Sequence, residues 1–101
     1  MPEYRPVCSV TDLEPGGARL VVLDGKEIAL FFVDGKYYAM EDNCLHAGGP
    51  LHEGALEGTA VICPWHQWRF HLETGHCDLN PKVDLDRYPV RVRDGTIEIA
   101  Y

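Results

Sequence analysis

Three Asp-Gly pairs constrain the fold of this chain more than any other feature. They are Asp24-Gly25, Asp34-Gly35 and Asp94-Gly95, and each separates apolar segments rich in β-branched or aromatic residues. Asp-Gly suits a type I′ turn because both central residues of that turn need a positive φ. We therefore expect three tight β-hairpins.

The segments beside these pairs have the length and pattern of β-strands. Val90 and Val92 alternate with polar residues, as do Ile97 and Ile99, which is the period of a half-buried strand. A short helical turn is expected near 9–13, capped by Ser9 or Thr11. An all-β domain follows, with strands expected at 18–23, 27–33, 36–40, 88–93 and 96–101.

The size of the chain favours one folded unit. With 101 residues and 11.4 kDa we expect a single domain over 1–101. No apolar run is long enough to span a bilayer. The first residues lack the features of a signal peptide, so we expect a cytoplasmic protein.

Acidic residues outnumber basic ones by sixteen to nine, for a formal charge of −7. This balance disfavours nucleic acid and anionic membranes as partners, because both would repel the chain. A basic protein partner fits better. The alternative is that the charge only keeps the protein in solution.

Glycine, proline, histidine and cysteine concentrate between Asn43 and Lys82, where the strand pattern breaks down. Three of the four cysteines and all five histidines lie there, including Cys44-Leu45-His46 and Cys63-Pro64-Trp65-His66. Sixteen residues separate His46 from Cys63. Two close Cys/His pairs with a hairpin-length gap are a metal-site pattern.

Three interpretations of these pairs compete. A disulfide between Cys44 and Cys63 would be reduced in the cytoplasm and would not explain the histidines. A structural zinc accepts two thiolates and two imidazoles, although zinc fingers space them differently. A two-iron, two-sulfur cluster of the Rieske kind has thiolates on one iron and imidazoles on the other.

The sequence resembles Rieske proteins over nearly its whole length. The resemblance rests on C-x-H and C-x-x-H and on their continuations through Leu51 and Phe70. It also includes the Glu73-Thr74-Gly75 turn, Asn80-Pro81 and the closing strand pair. It implies a Rieske fold of stacked antiparallel sheets, with a cluster-binding subdomain of two loops at one tip, over about 41–82.

The resemblance also implies roles for individual residues. Cys44 and Cys63 would bind the inner iron, and His46 and His66 the outer iron, which receives the electron. His52, His71 and His76 are expected at the surface, and Cys8 and Cys77 as small buried side chains. Gln67 departs from the glycine that relatives often have. Residues expected to shield the cluster are Gly48, Gly49, Pro50, Trp65, Trp68 and Pro81.

High-potential members of the family resemble each other in a second cysteine pair and in two hydroxyl donors to the sulfurs. This chain has Gly49 and Trp65 in place of those cysteines, and Trp68 and Phe70 in place of the donors. Less stabilisation of the reduced cluster should follow. We expect a midpoint potential of about −150 mV, at the low end of the Rieske range.

Three functions are compatible with the sequence. The first is a one-electron carrier, monomeric when free, from an NAD(P)H-dependent flavin reductase to a terminal Rieske oxygenase of ring hydroxylation. The second is the small subunit of an NAD(P)H-dependent nitrite reductase, bound to its large subunit. The third is a zinc-stabilised interaction domain. The first two imply one Rieske [2Fe-2S] cluster per chain and no catalytic residue of its own.

Overall fold

A computed structural model describes residues 3–42, 50–64, 67–78 and 86–100. These residues form antiparallel strands and two short 3-10 turns, Val10–Asp12 and Leu51–Glu53. No helix in these ranges is long and apolar enough to cross a membrane. The strands are β1 (Tyr4–Ser9), β2 (Ala18–Leu23), β3 (Lys26–Val33), β4 (Lys36–Glu41), β5 (Ala55–Glu57), β6 (Ala60–Ile62), β7 (Arg69–His71), β8 (Arg87–Tyr88), β9 (Val90–Arg93) and β10 (Thr96–Ala100).

The three expected hairpins are confirmed. Asp24, Asp34 and Asp94 have φ of 52°, 52° and 51°, and the glycine after each is also positive, at 79°, 75° and 76°. The turns join β2 to β3, β3 to β4 and β9 to β10. Both residues of each pair therefore adopt the left-handed conformation that a type I′ turn requires.

The expected helical turn is also present. Ser9 caps the 3-10 turn Val10–Asp12: its hydroxyl accepts from the backbone N–H of Thr11, and its own N–H donates to Asp12 Oδ2 at 3.0 Å. This reciprocal pattern satisfies donors that the first turn would otherwise leave unpaired.

The strands form three sheets among the described residues. The middle sheet has the order β2-β3-β4-β8, the outer sheet β1-β10-β9 and the small sheet β5-β6-β7. The outer sheet packs on one face of the middle sheet, and the small sheet packs on the other. Each of these two interfaces encloses its own buried core. We call the core under the small sheet the site-side core: Ala29, Phe31, Val33, Tyr38, Met40, Leu51, Val61, Cys63, Phe70, Leu72 and Cys77.

Strand β3 explains this layering. Ile28, Ala29, Leu30 and Phe31 are all fully buried. Because successive side chains of a strand point to opposite faces, Ala29 and Phe31 enter the site-side core while Ile28 and Leu30 enter the core under the outer sheet. Complete burial of a side chain as large as Phe31 contributes about 1.5–3 kcal/mol.

One predicted strand is wrong in detail. The segment 88–93 was expected as one strand, but it divides at Pro89: β8 pairs with β4, whereas β9 pairs with β10. Proline has no N–H for a ladder, which accounts for the break. Val92, expected on a buried face, is 48% exposed on this edge strand, whereas Val90 packs against the core.

The glycine-rich region contains more strand than its sequence pattern indicated. The small sheet β5-β6-β7 lies within it: β5 and β6 stand between the two Cys/His pairs in sequence, and β7 follows the second pair. Its strands have only three residues each, too few for period-two alternation to be visible. The single domain over 1–101 remains a prediction.

We predict that Gly54→Ala strongly destabilises the protein. Gly54 follows the turn Leu51–Glu53 at an ordinary φ of −70°. A Cβ there would collide with the carbonyl oxygen of Ile62 and lie 2.9 Å from Cγ2 of Val61. Such overpacking costs about 3 kcal/mol, so the thermal midpoint by far-UV circular dichroism should fall by more than about 10 °C.

Gly58→Ala is the matched control. Gly58 has φ 60°, but a Cβ there meets nothing within 4 Å, so only backbone strain of about 1 kcal/mol is expected. Equal midpoints for the two variants would contradict the close approach of Gly54 to β6.

Candidate functional site

The structure describes part of the predicted site. Cys63, Pro50 and Trp68 lie within the described residues. The remaining predicted residues lie outside them: Cys44, His46, His66, Gly48, Gly49, Trp65 and Pro81.

Cys63 begins the connection between β6 and β7 and is fully buried in the site-side core. Its thiol is free, so it is not half of a disulfide with Cys44. Its N–H donates to the Trp68 carbonyl at 2.8 Å, and its carbonyl accepts from the Gln67 N–H at 2.8 Å. These two bonds close the base of the 63–68 connection and fix the Cys63 backbone.

Gln67 has φ 59°, in the left-handed region. A side chain is strained there, whereas glycine is not. This geometry gives a physical reason for the glycine that relatives often have at this position. The backbone at Gln67 therefore has the conformation that glycine adopts most readily.

The other part of the site is anchored by Pro50 and Leu51. Pro50 is half-buried, and its carbonyl accepts from the N–H of Glu53 at 3.0 Å. Leu51 is fully buried in the same core as Cys63. The chain therefore enters the site-side core directly after residues 43–49.

A carboxylate that the sequence analysis did not single out lies at the opposite end of that segment. Asp42 follows β4, and its side chain is only 1% exposed. Asp42 Oδ1 accepts from the backbone N–H of His52 at 2.6 Å, and Oδ2 lies 2.8 Å from Nδ1 of the same residue. An ionised carboxylate only accepts, so Nδ1 carries the proton. Each hydrogen bond to a charged group contributes about 1.5–3 kcal/mol, which offsets the cost of burial.

The non-ligand histidines differ from expectation. His52, His71 and His76 were expected as exposed surface residues, but all three are partly buried. His71 Nε2 lies 2.6 Å from Asp78 Oδ1. His52 and His71 each pair with an aspartate, ten and seven residues away in sequence, so no local pattern indicated these contacts.

The two cysteines outside the pattern lie where small apolar side chains fit. Cys77 is fully buried in the site-side core, as expected. Cys8 is only partly buried, against the core under the outer sheet, and desolvation raises the pKa of its thiol. Both thiols are free.

The surface around the site is acidic. Residues 41–82 contain six acidic and two basic residues. One of the basic residues, Arg69, pairs with Glu57 and lies 3.9 Å from Asp78. Its charge is therefore already compensated within the same part of the chain.

The described residues fit an iron–sulfur cluster. Iron–sulfur centres take thiolate ligands, and Cys63 places a free thiol at the start of a connection whose base is closed by backbone bonds. Leu51 and Phe70 are fully buried in the same core as Cys63, so the described part of the site adjoins apolar side chains. Trp68 packs against this core, while its role as a cover remains a prediction.

Comparisons with known proteins agree with this chemistry. A family model described as the Rieske [2Fe-2S] domain matches residues 3–89. The ferredoxin subunit of 3-phenylpropionate/cinnamic acid dioxygenase from Photorhabdus laumondii is 44% identical over 96 residues, covering 93% of this chain and 90% of that protein. The biphenyl dioxygenase ferredoxin subunit of Pseudomonas sp. (strain KKS102) is 36% identical over 100 residues, covering 97% and 92%.

Solved structures give the same result. A chain in the complex of reduced oxygenase and oxidized ferredoxin in carbazole 1,9a-dioxygenase is 33% identical, with a TM-score of 0.89 and coverage of 96% of this chain and 92% of that one. A protein described as an NADH-dependent nitrite reductase small subunit from Mycobacterium tuberculosis is 28% identical, with a TM-score of 0.92 and coverage of 100% and 96%. The expected Rieske fold and cofactor are confirmed, and zinc is no longer needed to explain the Cys/His pairs. This chain belongs to the Rieske [2Fe-2S] domain family.

Proposed function

We propose that this protein is the ferredoxin of a dioxygenase system. It takes single electrons from an NAD(P)H-dependent flavin reductase and delivers them to a terminal Rieske oxygenase. The observation that carries the proposal is the match to dioxygenase ferredoxin subunits over at least nine-tenths of both chains. The complex of oxygenase and ferredoxin among the structural neighbours supports the acceptor.

The proposal includes the ligand set and the setting. Cys44 and Cys63 bind one iron as thiolates, and His46 and His66 bind the other through neutral imidazoles. When bound, the cluster supplies a one-electron redox couple. The protein is cytoplasmic and monomeric when free.

A second candidate is the small subunit of an NAD(P)H-dependent nitrite reductase. The likeness to the Mycobacterium tuberculosis protein over the whole of this chain favours it. The test is to reduce the protein and to follow its reoxidation by a terminal Rieske oxygenase and, separately, by a nitrite reductase large subunit. Rapid turnover with the oxygenase alone supports the carrier, and stable complex formation with the large subunit alone refutes it.

We predict that His66→Ala prevents stable cluster assembly, because the outer iron loses one of its two imidazoles. Iron content and the visible spectrum of the purified protein measure this. His76→Ala is the control: His76 is a partly buried histidine of the same subdomain outside the ligand pattern, and its spectrum should stay close to wild type. Comparable loss in both variants would show that the ligand set is wrong.

We predict a midpoint potential of about −150 mV and a rise in that potential for Phe70→Tyr. Phe70 is fully buried in the same core as Cys63 and has no hydroxyl to donate. A hydrogen bond to a charged acceptor contributes about 1.5 kcal/mol, equivalent to about 60 mV for one electron.

Redox titration of the loaded protein measures this shift. Phe32→Tyr is the control, because Phe32 packs on the other face of β3 and stacks on Tyr37 at 4.3 Å between ring centroids. Its potential should not change. A wild-type midpoint well above zero would contradict the low-potential assignment.

We predict that electron transfer to the oxygenase slows as salt rises, because the acidic subdomain attracts a basic partner surface. The screening length falls from about 10 Å at 0.1 M to about 3 Å at 1 M salt. Glu53→Gln removes an exposed charge at the last residue of the turn Leu51–Glu53 and should slow transfer at low salt about twofold.

Asp94→Asn is the control for Glu53→Gln. Stopped-flow experiments measure the rate of electron transfer to the oxygenase for both variants. Asp94 is equally exposed but lies at the tip of the β9–β10 hairpin in the outer sheet. Its rate should match wild type. A salt-independent wild-type rate would remove electrostatic steering from the proposal.

A further inference from the structure

The paired side chains of Asp42 and His52 lie at the two ends of the segment that carries half of the proposed ligands. Residues 43–51 stand between them and include Cys44 and His46. Two hydrogen bonds, at 2.6 and 2.8 Å, join these two residues. One carboxylate therefore connects the two ends of this segment directly.

The pair is attached to the most buried part of the fold. The backbone N–H of Asp42 donates to the carbonyl of Glu27 at 3.1 Å, which links it to β3. On the other side, His52 directly follows Leu51, which is fully buried beside Cys63 in the site-side core. The segment is therefore positioned relative to the site-side core, which also contains the proposed ligand Cys63.

The burial of Asp42 needs an explanation. Among the described residues it is the one buried charged side chain. A buried carboxylate is costly unless its oxygens are satisfied, and here each oxygen has one donor from the same residue. A hydrophobic contact would hold the two ends together without the cost of burying a charge. It would not fix the relative orientation of the two residues as two hydrogen bonds do.

We propose that Asp42 and His52 are positioning residues for the [2Fe-2S] cluster, which hold the backbone carrying Cys44 and His46 in the geometry that ligation requires. The proposal rests on the ligand set given above. In this proposal His52 is not a ligand. Its Nδ1–H orients Asp42, and Asp42 in turn orients the start of the segment that carries Cys44 and His46. Groups that orient ligands from outside the ligand set typically change metal retention about 10–100-fold.

The test compares three variants in the loaded protein. His52→Ala removes the ring donor but leaves the backbone bond. His52→Asn restores an N–H donor close to the Nδ1 position. His71→Ala breaks the other histidine–aspartate pair of this subdomain, to Asp78, which is more exposed and flanks no ligand segment.

The readouts are the g values and line widths of the reduced cluster in electron paramagnetic resonance, and the rate of iron release to a chelator. His52→Ala should shift or broaden the signal and release iron about 10-fold faster, while His52→Asn and His71→Ala should both remain close to wild type. Far-UV circular dichroism separates this effect from unfolding, because all variants should keep the β-sheet spectrum.

The outcomes are distinguishable. Wild-type signals in His52→Ala would overturn the inference and leave the ligand set intact. A His52→Asn variant as defective as His52→Ala, or an equal defect in His71→Ala, would also overturn it, because the Nδ1 donor would not be the cause. A wild-type protein without a Rieske signal would refute the ligand set and the inference together.

Discussion

The burial of β3 on both faces is the constraint on which the rest of this structure depends. Ile28 to Phe31 are fully buried in succession, so both sides of the middle sheet must be covered. The outer sheet covers one face through Ile97 and Ile99. The small sheet and the turn Leu51–Glu53 cover the other face. The described part of the site therefore packs against the middle sheet.

This packing brings the two parts of the cluster site to a common core. Cys63 enters that core at the end of β6, and Leu51 enters it directly after the segment that carries Cys44 and His46. Gly54 allows the chain after Leu51 to approach the backbone of Ile62 more closely than any residue with a Cβ would. Leu51 and Cys63, which flank the two proposed ligand pairs in sequence, are thus buried in one core.

The same core supports the proposed low potential of the cluster. Phe70 and Leu51 are buried in the same core as Cys63, and their side chains donate no hydrogen bonds. Reduction adds negative charge to the cluster, and an apolar, acidic surrounding stabilises that charge poorly. An electron held in this way is readily passed on, while the acidic exterior of the subdomain favours a basic partner.

The sequence by itself determined the features that depend on local chemistry. The three Asp-Gly hairpins follow from the positive φ of both residues, the Ser9 turn follows from a capping pattern within four residues, and the resemblance carried by the two Cys/His motifs predicted the cluster family. Only the tertiary structure decided three further features. The chain passes from the middle sheet to the outer sheet at Pro89, the small sheet consists of three-residue strands, and Asp42 pairs with His52. Asp42 becomes a buried acceptor only when β4, β3 and the turn Leu51–Glu53 pack together. Its partner lies ten positions away in sequence, and no periodicity along the chain encodes such a contact.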